Sequence, residues 1–381
     1  LTVEPHKLGL VLTGGGARSA YQVGVLKGLT DLLRRGSACP FPIITGTSAG
    51  AVSAIALASD AAHFRRSVFA IENVWREFRV HHVFKADALS MFKSGLHWLL
   101  AFMTGGWLVR PPHSLFDNTP LWELLKIKLN FDGIPRSVYK QHLQAIGICS
   151  TCYGDADSVT FYTGASEVVP WARVARKGAR TSLTLDHLMA SLAIPFLFRP
   201  VWLHDAYFGD GAMRQTSPLS PAIHLGATRL FIVGVNDPSP TGATPTTAPI
   251  EPTFGQMFGF MLDSLFMDQL HADLERIKRY NETSATSGLR NIESLVMTPT
   301  QDVNEIARRH ARELPRALRA LLRTLGANNS ASSMLLSYLL FERGFTRELI
   351  ALGYADTQAR AGEIREFLML EQAPRYRSAR A

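Results

Sequence analysis

Leu8-Gly9-Leu10-Val11-Leu12-Thr13-Gly14-Gly15-Gly16-Ala17-Arg18 and, further on, Pro42-Ile43-Ile44-Thr45-Gly46-Thr47-Ser48-Ala49-Gly50 are the stretches that decide the fold. Each opens on an apolar run short enough for a buried strand, turns on glycines and passes into a helical pattern. After the first turn Val23, Leu26, Leu29, Leu32 and Leu33 repeat at helical spacing, and residues 49–58 read as a helix after the second. Strand, glycine turn and helix, twice in succession, is the pattern of an α/β chain wound on a mainly parallel sheet.

Outward from there, sheet signals return at residues 144–150, 159–162 and 229–235, with a pair of short strands over 201–208 turning at His204-Asp205. Residues 63–131 are rich in aromatics and read as a helical insertion, either a cap over a site or a plain helical layer, broken at Pro111-Pro112. Residues 237–252, rich in Pro and Thr, read as an exposed loop. Beyond it, 254–279 has helical periodicity, 294–297 could return as one more strand, and 302 onward is helical, ending in a basic tail over 375–381. The expected organisation is an α/β unit over 5–236 with its insertion at about 63–131, a loop over 237–253, and a mainly helical region over 254–381.

Composition narrows the function. With 381 residues and 46% hydrophobic content, the chain can bury one large α/β core and a helical extension. A net charge of +8 favours anionic partners. No zinc-finger spacing or RNP-like aromatic segment is present, so nucleic acid is not an expected partner. Cys39, Cys149 and Cys152 are too few for a disulfide framework and point to a reducing, cytoplasmic setting. The C-x-x-C of Cys149 and Cys152 lacks the two further ligands zinc needs, and no aspartate cluster suits calcium, so neither metal nor cofactor is expected. Residues 1–10 lack the features of a leader, and the apolar patch at 96–109 is too short to span a bilayer.

Three local features carry chemistry. Gly46-Thr47-Ser48-Ala49-Gly50 is a G-x-S-x-G between strand and helix, the context in which a nucleophilic serine stands exposed on a sharp turn. Gly14-Gly15-Gly16-Ala17-Arg18 could cradle a phosphate or donate amides to an oxyanion. A dinucleotide fingerprint fits poorly, because Ser19 occupies its third glycine position and the second strand ends in Gly46-Thr47-Ser48 instead of an acid. The third feature, Asp210-Gly211-Ala212, would alone be only a turn. Whether the base is a histidine or an aspartate stays open on these residues. His224, His271 and His310 follow Asp210 as a triad requires, yet none sits in an evident strand-end loop, and Ser48 comes very early for a triad hydrolase.

In this order the motifs resemble the patatin-like phospholipase family, which carries a G-G-G-x-R/K-G loop, a G-T-S-A-G elbow and a late D-G-A/G. A fourth segment, Ala190-Ser191-Leu192-Ala193-Ile194-Pro195-Phe196-Leu197-Phe198-Arg199-Pro200, is similar to the family's A-S-x-A-I-P-x-x-F-x-P block, and the resemblance covers roughly residues 8–235. It implies a three-layer α/β fold and a lipid acyl hydrolase of the phospholipase A or lysophospholipase kind. It further implies Ser48 as nucleophile and Asp210 as base in a dyad without histidine. Gly14, Gly15, Gly16, Ala17 and Arg18 would form the oxyanion loop, and Gly46, Gly50 and Gly211 would flank the dyad. Ser19 departs from the family's glycine and is harmless if it already lies in the helix. A non-catalytic lipid-binding or regulatory protein on the same fold is the alternative.

The implied partner is a phospholipid or other acyl lipid, with peripheral contact to an anionic membrane as a further expectation; the motifs carry nothing on headgroup or oligomeric state. Arg309, Arg312, Arg316, Arg319 and Arg323, opposite Leu314, Leu318, Leu321 and Leu322, have the spacing of a basic amphipathic helix. Arg173, Arg176, Lys177 and Arg180 make a second basic cluster, and the apolar residues 96–107 a third candidate surface. Each reads first as an ordinary solvated or packed face.

Overall fold

In chain order the strands are β1 (Leu8–Leu12), β2 (Ile43–Thr47), β3 (Ala145–Cys152), β4 (Ser158–Gly164), β5 (Trp171–Arg173), β6 (Arg176–Arg180), β7 (Val201–Leu203), β8 (Ala206–Asp210), β9 (Arg229–Val233) and β10 (Glu293–Met297). This computed structural model describes residues 7–105, 107, 109, 113–236, 251, 253–265, 269–287, 291–324 and 333–370. All ten strands join one sheet in the order β10-β9-β1-β2-β3-β4-β6-β5, with β8 and β7 added at the end of β3. From β10 to β3 the pairing is parallel. β1, β2 and β9 are short apolar runs, buried almost throughout, as strands covered by helices on both faces must be.

The helices follow from the same pattern. α1 (Ala20–Leu32) and α2 (Ala49–Ser59) leave β1 and β2 at their carboxyl ends. The insertion then supplies α3 (Phe64–Arg76), α4 (Val80–Val83), α5 (Ala88–Met103), α6 (Thr119–Lys128) and α7 (Gly133–Tyr139). α3 packs Phe64, Val68, Ile71 and Trp75 into the core beside α1 and α2. Phe84, just after α4, stacks on Phe116 at 4.3 Å. α4 packs on α6, while α5 turns Leu89, Leu96, Leu100, Phe102 and Met103 outward.

α8 (Leu185–Ser191) and α9 (Ser220–His224) precede β9, and α10 (Phe254–Asp263) and α11 (Gln269–Ser287) precede β10. The helical periodicity expected over 254–279 is met by α10 and α11. α12 (Val303–His310), α13 (Arg316–Thr324), α14 (Ser333–Leu339), α15 (Arg343–Ala359) and α16 (Ala361–Phe367) complete the chain. α15 lies along α1, where the Tyr21 hydroxyl donates to Asp356 Oδ2 at 3.0 Å.

Both basic stretches are ordinary packed or solvated faces, as they read first. The five arginines from Arg309 to Arg323 do not share one helix, because α12 ends at His310 and α13 begins at Arg316 after Pro315. Leu314, Leu318 and Leu322 are buried in the core and have no apolar face to offer a membrane. The basic cluster at Arg173–Arg180 belongs to the edge strand β5 and its neighbour β6, where Lys177 pairs with Asp155 and Arg180 bonds the carbonyls of Gly164 and Ala165. The expected loop over 237–252 falls outside the described residues except for Glu251, as do Pro111-Pro112 and the tail at 375–381. No helix among the described residues is long and apolar enough to cross a membrane.

Candidate active site

The site is assembled by the end of β3. β2 pairs with β3 up to Thr47 opposite Cys149. The opposite side of β3 is occupied by β4 out to Thr151. β8 therefore enters on the β2 side, antiparallel, with Asp210 opposite Ser150. The two strands meet head to head along β3, so Ser48, the residue after β2, comes up against Asp210, the last residue of β8.

Ser48 sits at φ 52°, ψ −129°, outside the regions an L-residue prefers, and α2 begins immediately after it. Such strain costs of order 1–3 kcal/mol and must be held by its surroundings. Several bonds hold it here. The Ser48 N–H donates to Ser191 Oγ at 2.9 Å, and Ser191 Oγ donates to Cys149 O at 2.6 Å. Thr47 Oγ1 donates to Gln215 Oε1 at 2.8 Å, while Gln215 Nε2 reaches Cys149 Sγ at 3.0 Å. Gly50 is required by space, since a Cβ there would fall 2.4 Å from Leu12 O. Gly46 lies in β2 against Ala51 of α2, and Gly211 begins a short 3-10 turn against Cys149 O.

Asp210 is buried, and its Oδ1 accepts from the Ala212 N–H at 2.9 Å. Oδ2 is buried without a hydrogen-bond partner among the described residues. Burial in apolar surroundings pushes the carboxyl from its ordinary 3.8 up to about 7, against the opposing pull of the Ser48 hydroxyl and the Ala212 amide. A carboxyl with that pKa can accept a proton near neutral pH and return it.

The glycine loop faces the same space. Gly14 and Gly15 continue β1, and Gly16, Ala17, Arg18 and Ser19 form a 3-10 turn leading into α1. Ser19, at φ −65°, is helical, so its departure from glycine carries no strain. Gly16 has φ +55°, and a Cβ there would lie 2.5 Å from Tyr338 O. The first amides of a helical turn have no partner within it; here they belong to Gly16 and Ala17. Arg18 turns away from this space and is fully buried between α10, α12 and α14.

Ser48 and Gly16 open onto an apolar cavity of about 40 Å³ whose walls include Val52, Trp75, Leu125, Ile194, Tyr338 and Phe341. The sequence reading did not assign Ser191, Gln215 or the wall at Tyr338 and Phe341. Ser191 was visible in the 190–200 block, but Tyr338 and Phe341 have no local signal. The three histidines after Asp210 are partly accounted for elsewhere: His224 stacks on Trp171 at 5.0 Å, and His310 bonds Glu313 and Glu348.

Among known proteins, a patatin-like phospholipase family model matches residues 10–223. No curated protein matches. Among solved structures, that of VipD from Legionella pneumophila aligns over 68% of this chain and 55% of that one, at 12% identity and a TM-score of 0.29. The chain thus spans about half the length of that protein. The family match covers more than half the chain and takes in the glycine loop, the Ser48 turn and Asp210; the protein belongs to the patatin-like phospholipase family.

Proposed function

We propose that the protein is a serine acyl hydrolase of lipid esters, of the phospholipase A or lysophospholipase kind, working through Ser48 and Asp210. The observation that carries this reading is the head-to-head meeting of β2 and β8 on β3, which sets a strained serine before a buried, unpaired carboxylate oxygen. Asp210 takes the Ser48 proton as Oγ attacks the ester carbonyl, a contribution of about 10²–10⁴ in rate. The amides of Gly16 and Ala17 receive the oxyanion; one such donor is typically worth about 2.7–4 kcal/mol. The alcohol leaves with the proton held by Asp210, and water, deprotonated by the same carboxylate, then releases the acyl group from Ser48.

Fluorophosphonate labelling read by intact mass, beside turnover of p-nitrophenyl butyrate, tests the assignment. A single adduct on the wild type, absent from Ser48→Ala together with turnover, is the expected result. A folded wild type that takes no label and turns over no ester would leave the non-catalytic lipid-binding reading in its place.

Peripheral membrane contact belongs to the same proposal. Phe102 and Met103 at the end of α5 are 85% and 75% exposed, and Phe254, Met257 and Phe260 stand out from α10. α10 reaches the site through Asp263, which bonds both Arg18 and Tyr338. An aromatic moved from water into a lipid interface gains about 1.5–3 kcal/mol. Sedimentation with anionic phospholipid vesicles should therefore show Phe102→Asp/Phe260→Asp binding about tenfold or more weaker than wild type, with turnover of soluble butyrate ester unchanged. Equal sedimentation of the two proteins would remove this surface from the proposal.

A further inference from the structure

The catalytic cavity is small for an acyl lipid. Its volume of about 40 Å³ is far below the roughly 150 Å³ that admits a benzene ring. A second groove, of about 540 Å³, lies directly behind it. Val52, Trp75 and Leu125 line both spaces, so one layer of side chains separates them. Apolar residues such as Ile71, Leu124 and Leu129 line much of the groove, while Glu77, His82 and Lys128 also border it.

We propose that this groove is a second acyl-chain chamber, continuous with the first when the Trp75 ring is moved aside, and that Trp75 sets the length of chain the enzyme accepts. The inference rests on the hydrolase reading above and names its substrate range. A chain whose carbonyl lies between Ser48 and Gly16, running along the apolar wall, meets Val52, Trp75 and Leu125 after a few carbons. Trp75 is the member of that wall whose displacement would join the two spaces. It is the largest of the three, packs against Phe78 at a centroid distance of 5.1 Å, and has an indole N–H with no acceptor among the described residues. No hydrogen bond fixes the ring, and beyond it the groove offers apolar surface for the distal methylenes.

The test compares kcat/KM for p-nitrophenyl butyrate and octanoate in wild type, Trp75→Ala, Trp75→Leu and Ala70→Trp. Ala70 lines the groove from an exposed position on α3, so a tryptophan there fills the chamber without entering the core. Wild type should favour butyrate by about tenfold or more, and either Trp75 variant should raise the octanoate-to-butyrate ratio of kcat/KM about tenfold. Adding Ala70→Trp to a Trp75 variant should erase the octanoate gain and spare butyrate. Ala70→Trp alone should lower the residual octanoate turnover of wild type about fivefold, and this holds even if both Trp75 variants fail to fold. An octanoate gain absent from folded Trp75 variants, or one that survives Ala70→Trp, overturns the chamber while butyrate turnover leaves the hydrolase standing. No turnover of butyrate by wild type overturns both.

Discussion

Asp210→Asn is expected to lower kcat for p-nitrophenyl butyrate by about 10²–10⁴ and, at pH 8, to melt above wild type. The two effects share one cause. Above its pKa the wild-type protein holds a carboxylate in apolar surroundings with Oδ2 unpaired. The folded-state pKa, about 7, lies above the ordinary 3.8, so between those values the native protein binds the extra proton. The stability this gives is full below pH 4 and lost as pH rises to 7. A gap of about three units corresponds to up to roughly 4 kcal/mol, which an asparagine does not forfeit. Thermal unfolding should show the variant's advantage at pH 8 shrinking towards pH 5. Wild-type kcat/KM should fall about tenfold per unit below pH 7, because only the ionised carboxylate accepts the Ser48 proton. A flat rate profile between pH 5 and 8, or an advantage of the variant over wild type no larger at pH 8 than at pH 5, would contradict the raised pKa.

The second large effect is expected at Arg18. Its Nε donates to Ser337 Oγ at 2.8 Å, Nη1 pairs with Asp263 Oδ1 at 2.7 Å, and Nη2 reaches Asn304 Oδ1 at 3.0 Å. The guanidinium also lies over the Tyr338 ring at 3.9 Å. Removing one member of a buried ion pair typically costs about 3–5 kcal/mol, and Arg18→Ala should lose that much in urea unfolding. Arg18→Lys should recover only part of it, since an ammonium cannot match a planar fork with several acceptors. In either variant the glycine loop loses its tie to α14, so kcat should fall with little change in KM. A loss under about 1 kcal/mol for Arg18→Ala would show that the cluster is not anchoring the loop.

The residues legible in the sequence were those whose chemistry is local. The glycine loop and the turn at Ser48 are written within a few residues, because each is a strand running straight into a helix. Asp210 was legible as a motif only. Its place beside Ser48 depends on β8 filling the position on β3 that β2 leaves vacant, a pairing no single segment encodes. β5 and β6 were not read as strands, because Trp171 to Arg180 has four basic residues and little alternation. The arginine spacing over 309–323 was read first as an ordinary packed face, and the break at Pro315 and the burial of Leu314, Leu318 and Leu322 agree with that reading. The cavity wall at Tyr338 and Phe341 could not be anticipated. It consists of ordinary core residues brought beside Ser48 by where α14 and the segment after it pack.

That packing also bears on how the protein comes into being. The Arg18–Ser337 bond joins residues 319 apart in sequence. A contact of such separation bears a large closure entropy and forms after local structure is in place. On the ribosome, the chain emits its glycine loop first and the segment that fixes that loop more than three hundred residues later. On the proposed reading, the nascent chain has its serine and aspartate before the glycine loop is fixed, and competence to cut an ester waits until α14 has emerged and packed.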